Sequence, residues 1–422
     1  MTSISTIHTT VGTEVATTGV TFAEVAESDA LTDGKTYYVI CHGLVESDSA
    51  SVVSQWRLVD RTNSDAVLAG STLKREVTQV NKTQGYSYIG KITAGSDGGG
   101  IAFEQSSSIG QIARTQYLSM ILLDLSEMNS SDYFYATDTT SATHTTTMAD
   151  RVQKTITSDP DDEWLVFGFC ETSMDSISLN AEAVLYCDNP ASENSEPLWS
   201  YEGEDLTEIL QFWTCRVFTI IEDPSGKSVD FAIKSRDDAV GTQNTYESSS
   251  LLGLRLNAFE QSVSEYTSAE TSTTATTWQE LESLSITPDT TGSVLVFGTS
   301  IFDGDSTNRK TYERIQVDSV TSPNSVPDSE FSANMNDGSS LIPLPYATQY
   351  TGTADTSATI SLDVKKGHSA DTGWLQYTLC AFSTELVSTA PITWSDVASQ
   401  TYNGGDVATD NYNAGDTATE VN

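Results

Sequence analysis

Apolar positions along this chain fall into strand-length runs, and the runs recur in the same order three times at a spacing of about 130 residues. The strongest are Thr36–Leu44 (TYYVICHGL), Trp164–Cys170 (WLVFGFC) and Ser293–Ile301 (SVLVFGTSI). Upstream stand Val25, Val152 and Leu281, each thirteen residues before Tyr38, Leu165 and Val294 in turn. A second run ends on aspartate in every copy: Gln55–Asp60, Glu182–Asp188 and Tyr312–Asp318. Next come two runs flanking a turn: Tyr86–Ile92 and Ile101–Gln105, Arg216–Ile221 and Val229–Ile233, Tyr346–Thr351 and Ala358–Val364. Gly, Asp and Pro in the turns supply the backbone conformations that reversals need. The Gly98–Gly100 run reads as a hairpin tip. Each copy closes on one more apolar run: Tyr117–Leu125, Leu251–Phe259 or Trp374–Phe382.

Seven or eight short strands per copy predict an all-β chain of three tandem antiparallel sandwiches, of jelly-roll or immunoglobulin-like topology. The expected domains are 1–130, 131–260 and 261–390, each long enough to bury its own core. Three Thr/Ser tracts, Thr2–Thr21, Thr137–Thr147 and Thr267–Thr277, precede the copies as either linkers or edge strands. Helical periodicity is scarce, and Gly203–Phe212 is its best example. From Pro391 the apolar content collapses into the near-repeat TYNGGDVATD, NYNAGDTATE. Residues 391–422 therefore read as an extended arm that needs a partner to become ordered. Its assembly candidates are Trp394, Tyr402, Asp406, Tyr412 and Asp416.

Composition sharpens this picture. Fifty-nine acids against twenty bases give a formal charge of −39, which repels phosphate backbones and argues against nucleic-acid binding. The charge suits solubility at high density or in salty water. Seven Trp, seventeen Tyr and thirteen Phe argue against a disordered chain. Five unevenly spread cysteines, Cys41, Cys170, Cys187, Cys215 and Cys380, do not read as a disulfide framework, so folding in a reducing cytoplasm is expected. The opening MTSISTIHTT has neither the charged nor the apolar region of a signal peptide, and no run is long enough to cross a bilayer.

Chemistry is sparse. His8, His42, His144 and His368 stand apart, without repeated ligand spacing, so no zinc or Ser-His-Asp site is expected. No phosphate-binding, dinucleotide or hydrolase motif occurs. Asp161, in a turn with Asp159, Asp162 and Glu163, and the pair Asp303 and Asp305 are weak calcium candidates. No other cofactor is expected, and no carboxylate pair marks a glycosidase. Trp199, Tyr201, Trp213 and Trp374 could stack on sugars, although packing is the commoner use of strand tryptophans.

Tandem sandwiches, Thr/Ser-rich strands and acidity resemble the accessory structural proteins of tailed viruses, and the stretch ITWSDVASQTYNGGDVATDNYNAGD resembles the ends of such virion proteins. The resemblance implies a non-enzymatic protein at the virion surface, made in the host cytoplasm, that decorates a capsid or builds a spike or tail. It implies a homo-oligomer, a trimer being the form expected by analogy, and contacts with other virion proteins such as the major capsid protein. An adhesin or glycan-binding protein is the alternative reading.

Overall fold

The computed structural model describes residues 2–48, 53–76, 82–143, 146–173, 180–189, 199–202, 209–221, 228–237, 245–273, 275–304, 310–318, 320–321, 331–332, 341–366 and 373–387. The Trp394–Asp416 arm candidates lie outside these, as do Asp305, His144 and His368. The first group of strands is β1 (Ser5–Val11), β2 (Val15–Thr18), β3 (Ala23–Glu27), β4 (Thr36–Ser47), β5 (Val53–Asp60), β6 (Ala66–Val67), β7 (Leu73–Glu76), β8 (Lys82–Thr93), β9 (Ile101–Ser106) and β10 (Ile112–Asp124). The second is β11 (Tyr133–Asp138), β12 (Ala142–Thr143), β13 (Ala149–Thr157), β14 (Glu163–Ser173), β15 (Asn180–Cys187), β16 (Trp199–Glu202), β17 (Ile209–Thr219), β18 (Ser228–Asp237) and β19 (Thr245–Arg255). The third is β20 (Ser262–Thr273), β21 (Gln279–Ile286), β22 (Gly292–Gly304), β23 (Lys310–Val317), β24 (Val320–Thr321), β25 (Phe331–Ser332), β26 (Leu341–Gly352), β27 (Ala358–Lys366) and β28 (Gly373–Ser383).

Each group builds two antiparallel four-stranded layers with one shared order, and the pairing of β16 with β26 at Ser200 and Leu341 joins a layer of the second group to one of the third in a continuous eight-stranded sheet. One sheet reads β1-β10-β4-β8 in the first group, β11-β19-β14-β17 in the second and β20-β28-β22-β26 in the third. The other reads β3-β9-β5-β6, β13-β18-β15-β16 and β21-β27-β23-β24. These are the two interleaved four-stranded sheets of a jelly roll, which separates the two topologies the sequence leaves open. The Thr-rich tracts contribute the outer strands β1, β2, β11, β12 and β20, so they pair rather than link. The strands flanking Ala94–Gly100, β8 and β9, lie in opposite sheets. Gly98–Gly100 is therefore a crossing between sheets, not a hairpin tip. Ile209–Phe212, the apolar end of the helical candidate, lies in β17. A strand buried on both faces accepts apolar residues at every position and imitates a helical pattern over four residues.

Local devices repeat with the topology. Strands β3, β13 and β21, equivalent in the three rolls, each carry a register shift at the same place, between Glu24 and Ala26, Asp150 and Val152, and Glu280 and Glu282. A bulge there tightens the twist and turns the strand toward the sheet opposite. Asp188 and Asp318 close their strands by accepting from Asp230 N and Thr359 N, and Asp60 caps a 3-10 turn through Thr62 N. The recurring aspartates are turn makers. A cross-strand ion pair also recurs on each outer sheet: Arg57 with Glu104 at 2.7 Å, Arg236 with Glu182 at 2.6 Å, Arg314 with Asp363 at 2.8 Å.

The rolls do not form a row. Residues Met1–Val387 make one compact unit, and the rolls close on one another head to tail. Strand β8 packs on β14, β17 and β19; β17 packs on β20, β22, β26 and β28; β26 packs on β4 and β10. The short strands follow the same cycle, with β7 beside β17, β16 beside β26 and β25 beside β8. A heterologous contact used three times has closed into a ring within a single chain. The inner sheets are consequently buried on both faces. Val166 and Phe218 point into the second roll's own core and Val294 and Leu379 into the third's, while Phe167, Trp213, Phe297 and Phe382 join Ile40 in a core common to all three.

The first and last described segments and the linker between rolls two and three meet at one pole of this ring. Segment Thr384–Val387 lies between the amino terminus and the linker joining rolls two and three: Ile4 N donates to Thr384 O, Leu386 N to Thr2 O, Glu260 N to Glu385 O and Val387 N to Ala258 O. No described helix is long and apolar enough to cross a membrane.

Candidate functional site

Aromatic side chains are stacked in tiers along the ring's centre. Near the linker pole Tyr38 meets Tyr133 and Tyr135 edge-on at 5.9 and 5.6 Å. In the middle Phe167 meets Phe297 at 4.9 Å and Trp213 at 5.9 Å. Toward the far pole the His42 ring sits 5.4 Å from Tyr117 and 5.9 Å from both Trp213 and Tyr346, so all three rolls surround it. Such edge-to-face pairs contribute roughly 0.5–1.5 kcal/mol each beyond the area they bury.

Specific polar contacts join the rolls among the described residues. Trp213 Nε1 donates to Cys41 O at 3.1 Å, Cys215 N to Thr299 Oγ1 at 3.1 Å, Ser119 Oγ to Ala347 O at 2.8 Å and Gln211 Nε2 to Gly70 O at 3.0 Å. Strand β17 is a sheet edge and β26 is paired on its outer side only at Leu341, and here an edge amide and an otherwise open carbonyl are satisfied by the neighbouring roll. That removes edges which would otherwise template aggregation.

Beside His42 lies a cavity of about 40 Å³, walled by Tyr117, Gln211, Phe212, Pro343 and Tyr346. Both His42 ring nitrogens and Gln211 Oε1 face no hydrogen-bond partner among the described residues. The volume suits a few waters, which would satisfy those groups. Burial pushes His42 down to about 3 and His8 down to about 4, so both imidazoles are neutral at physiological pH.

Glu171 is the buried carboxylate of the contact between the first two rolls. Burial pushes it up to about 7, and Ser248 Oγ donates to its Oε2 at 3.2 Å. Gly70 of the first roll covers it with φ +74°, and a Cβ there would come within 2.5 Å of Ser248 Oγ. Glu171 is a sealed interface group rather than a carboxylate facing a groove.

A cleft of about 260 Å³ opens between rolls two and three. Arg216 lines it, its guanidinium 4.1 Å from the Tyr266 ring and 4.8 Å from that of Phe218. Glu163, Asn189, Ile221 and Glu265 complete the polar and apolar walls.

The residues singled out in the sequence fall elsewhere. Asp161 occupies a left-handed turn position with φ +66° and donates its amide to Ile220 O at 2.7 Å. Its neighbour Asp162 accepts from Arg255 Nη2 at 2.7 Å and Ser158 Oγ at 2.9 Å, which makes this acidic turn a structural brace. Asp303 belongs to β22. The described residues hold no group of three or more His, Cys, Asp or Glu placed to bind a metal. All five cysteines are buried thiols. Trp213 is fully buried at the ring's centre, while Trp199, Tyr201 and Trp374 sit in β16 and β28. The cleft was not legible beforehand, because its walls come from four separate segments.

No family model matches the chain, and no curated relative matches it. Several solved structures align weakly. PNGase F, a glycosylasparaginase from Flavobacterium meningosepticum, aligns with 61% of this chain and 97% of its own at 9% identity and a TM-score of 0.30. A chain of Sulfolobus Turreted Icosahedral Virus covers 89% and 84% at 10% identity and 0.21. A chain described under "The Triple Jelly Roll Fold and Turret Assembly in an Archaeal Virus" covers 89% and 92% at 10% identity and 0.18. These scores and identities are low, and nothing about this chain's role follows from them.

Proposed function

We propose that this chain is a non-enzymatic structural protein of a virus particle. It decorates a capsid or contributes to a projecting spike or tail, and it assembles with copies of itself and with other virion proteins such as the major capsid protein. The observation that carries the reading is the closed ring. One chain spends its buried surface on welding three jelly rolls into a single block with a common aromatic core. Jelly rolls recur in viral capsid and lectin domains, and fold alone does not decide between such uses. Both candidate chemical groups of the interior, His42 and Glu171, are committed to packing between rolls, which favours rigidity over turnover.

The test compares the full chain with residues 1–387 by light scattering coupled to size exclusion. An oligomer for the full chain that becomes a monomer on truncation is the expected result and would give residues 388–422 the assembly role. Monomers in both, at all accessible concentrations, would overturn self-assembly. The adhesin or glycan-binding reading is favoured by one feature, the cleft between rolls two and three.

A further inference from the structure

We propose that the cavity beside His42 binds a primary carboxamide, carried either by a small free amide or by the side chain of a glutamine or asparagine. This goes beyond the scaffold reading and does not rest on it. The argument begins where packing and polarity part. His42 faces Ser119 across its sheet as Phe169 faces Ser250 and Thr299 faces Thr378, so the three hold equivalent places in the rolls. Phe169 is an apolar ring, and the Thr299 hydroxyl accepts from Cys215 N at 3.1 Å. At those two places the ring closes with its polar atoms paired. His42 differs. It is 6% exposed, and neither ring nitrogen has a hydrogen-bond partner among the described residues. Gln211, 1% exposed, brings an equally unpaired Oε1 to the same cavity wall. Buried polar atoms in that condition cost free energy until something bonds them.

The unpaired atoms define the ligand's chemistry. Burial holds the imidazole neutral, so one ring nitrogen donates and the other accepts in either tautomer, while Gln211 Oε1 accepts only. Their complement is a group with two donors and one acceptor. A primary carboxamide is that group, with two N–H bonds and a carbonyl. A hydroxyl brings one donor, a carboxylate none, and an ammonium no acceptor. The last two would also carry charge into a cavity whose described lining holds no ionised side chain to offset it. Size agrees with chemistry. A volume of about 40 Å³ admits about three water-sized centres, and the carboxamide consists of three non-hydrogen atoms. Tyr117, Phe212, Pro343 and Tyr346 offer this flat group apolar walls. One amide takes the place of several waters, whose release favours binding. The partly exposed members of the lining, Leu44, Gly85 and Pro345, mark the mouth. Gly85 pairs with Leu44 across β4 and β8 and puts no side chain over the entry.

The test uses the full chain, isotope-labelled at its histidine nitrogens and observed by NMR. Acetamide stands for the free amide and N-acetyl-glutamine methylamide for the side-chain form. Acetate, methylammonium and ethanol are controls of similar size. His42→Phe, which copies Phe169, assigns the His42 signals. Acetamide is expected to shift them saturably with a Kd on the order of 1 mM, within the ceiling for so small a ligand, and each control to bind at least tenfold more weakly. Ligand-detected saturation transfer is expected to show His42→Phe and Gln211→Met each weakening acetamide at least tenfold. Circular dichroism checks that both variants are folded. A glutamine form that binds at least as tightly as acetamide assigns the pocket to a protein side chain, and weaker binding assigns it to a free amide. No saturable shift, controls that bind as well as acetamide, or acetamide binding that survives both substitutions overturns the inference. None of these outcomes reports on oligomeric state, so the scaffold reading is decided separately.

Discussion

Trp213 concentrates the ring's logic in one side chain. It is fully buried, packs edge-on against Phe167 and His42, and donates its indole proton across a roll boundary to Cys41 O. Trp213→Ala is expected to cost about 3–5 kcal/mol, the range for deleting a core aromatic, read as a shift of the urea midpoint. Glu171 sets a pH dependence with a definite sign. Its folded value of about 7 lies above the ordinary 4.5, so the native state holds a proton that the unfolded chain has released between those values. Stability from this group therefore falls as pH rises from about 4.5 to about 7, by on the order of 3 kcal/mol. His42 and His8 act oppositely. Their lowered values leave them neutral when folded, so they withdraw stability as pH falls below 6.5. The Glu171 contribution is isolated by subtraction. Melting curves of Glu171→Gln and the parent should diverge above pH 5 in favour of the variant, and parallel curves would show that Glu171 is not buried as described.

A roll lifted out of the ring would expose the apolar outer face of its inner sheet. For the first roll that face carries Tyr38, Ile40 and His42. Patches of that kind are rare on stable monomers. A fragment of residues 1–130 is accordingly expected to aggregate or bind hydrophobic dyes, and a monodisperse fragment with native near-ultraviolet dichroism would contradict the shared core. The sequence carried most of the strands because each run is short, β-branched or aromatic, and bounded by turn residues. It also held an unused signal for the ring. WLVFGFC and SVLVFGTSI do not alternate, and an uninterrupted apolar strand has two buried faces. The shared LVFG marks the true register, with Leu165 matching Leu295 and Phe167 matching Phe297 in the common core. Spacing from Val152 and Leu281 misses this by one residue, because the bulge falls at Leu281 in β21 but at Arg151, not Val152, in β13. The cleft gave no comparable signal. Glu163, Asn189, Arg216 and Glu265 meet only once the third roll's outer strand lies beside the second roll's edge.

At the scale of the whole molecule two electrostatic effects compete, and their sizes decide the outcome. The recurring Arg–carboxylate pairs on the outer sheets favour low salt, but partly exposed pairs contribute only about 0.2–1 kcal/mol each. Against them stands the self-repulsion of a compact block, Met1–Val387, that carries 34 of the chain's 39 net negative charges. Raising ionic strength from about 0.01 M to about 1 M shortens the screening length from about 30 Å to about 3 Å, which removes the longer-range repulsion between surface acids and also weakens the exposed pairs, whose small contribution limits what that loss can cost. Repulsion outweighs the pairs, so the melting temperature is expected to rise by several degrees over that range. Because rolls one, two and three share one core, the rise should appear as a single calorimetric transition moving upward. Three resolved transitions would mean that the rolls unfold alone and that the ring is weaker than its packing indicates. A melting temperature that falls with salt would mean that ion pairs, not repulsion, dominate the surface.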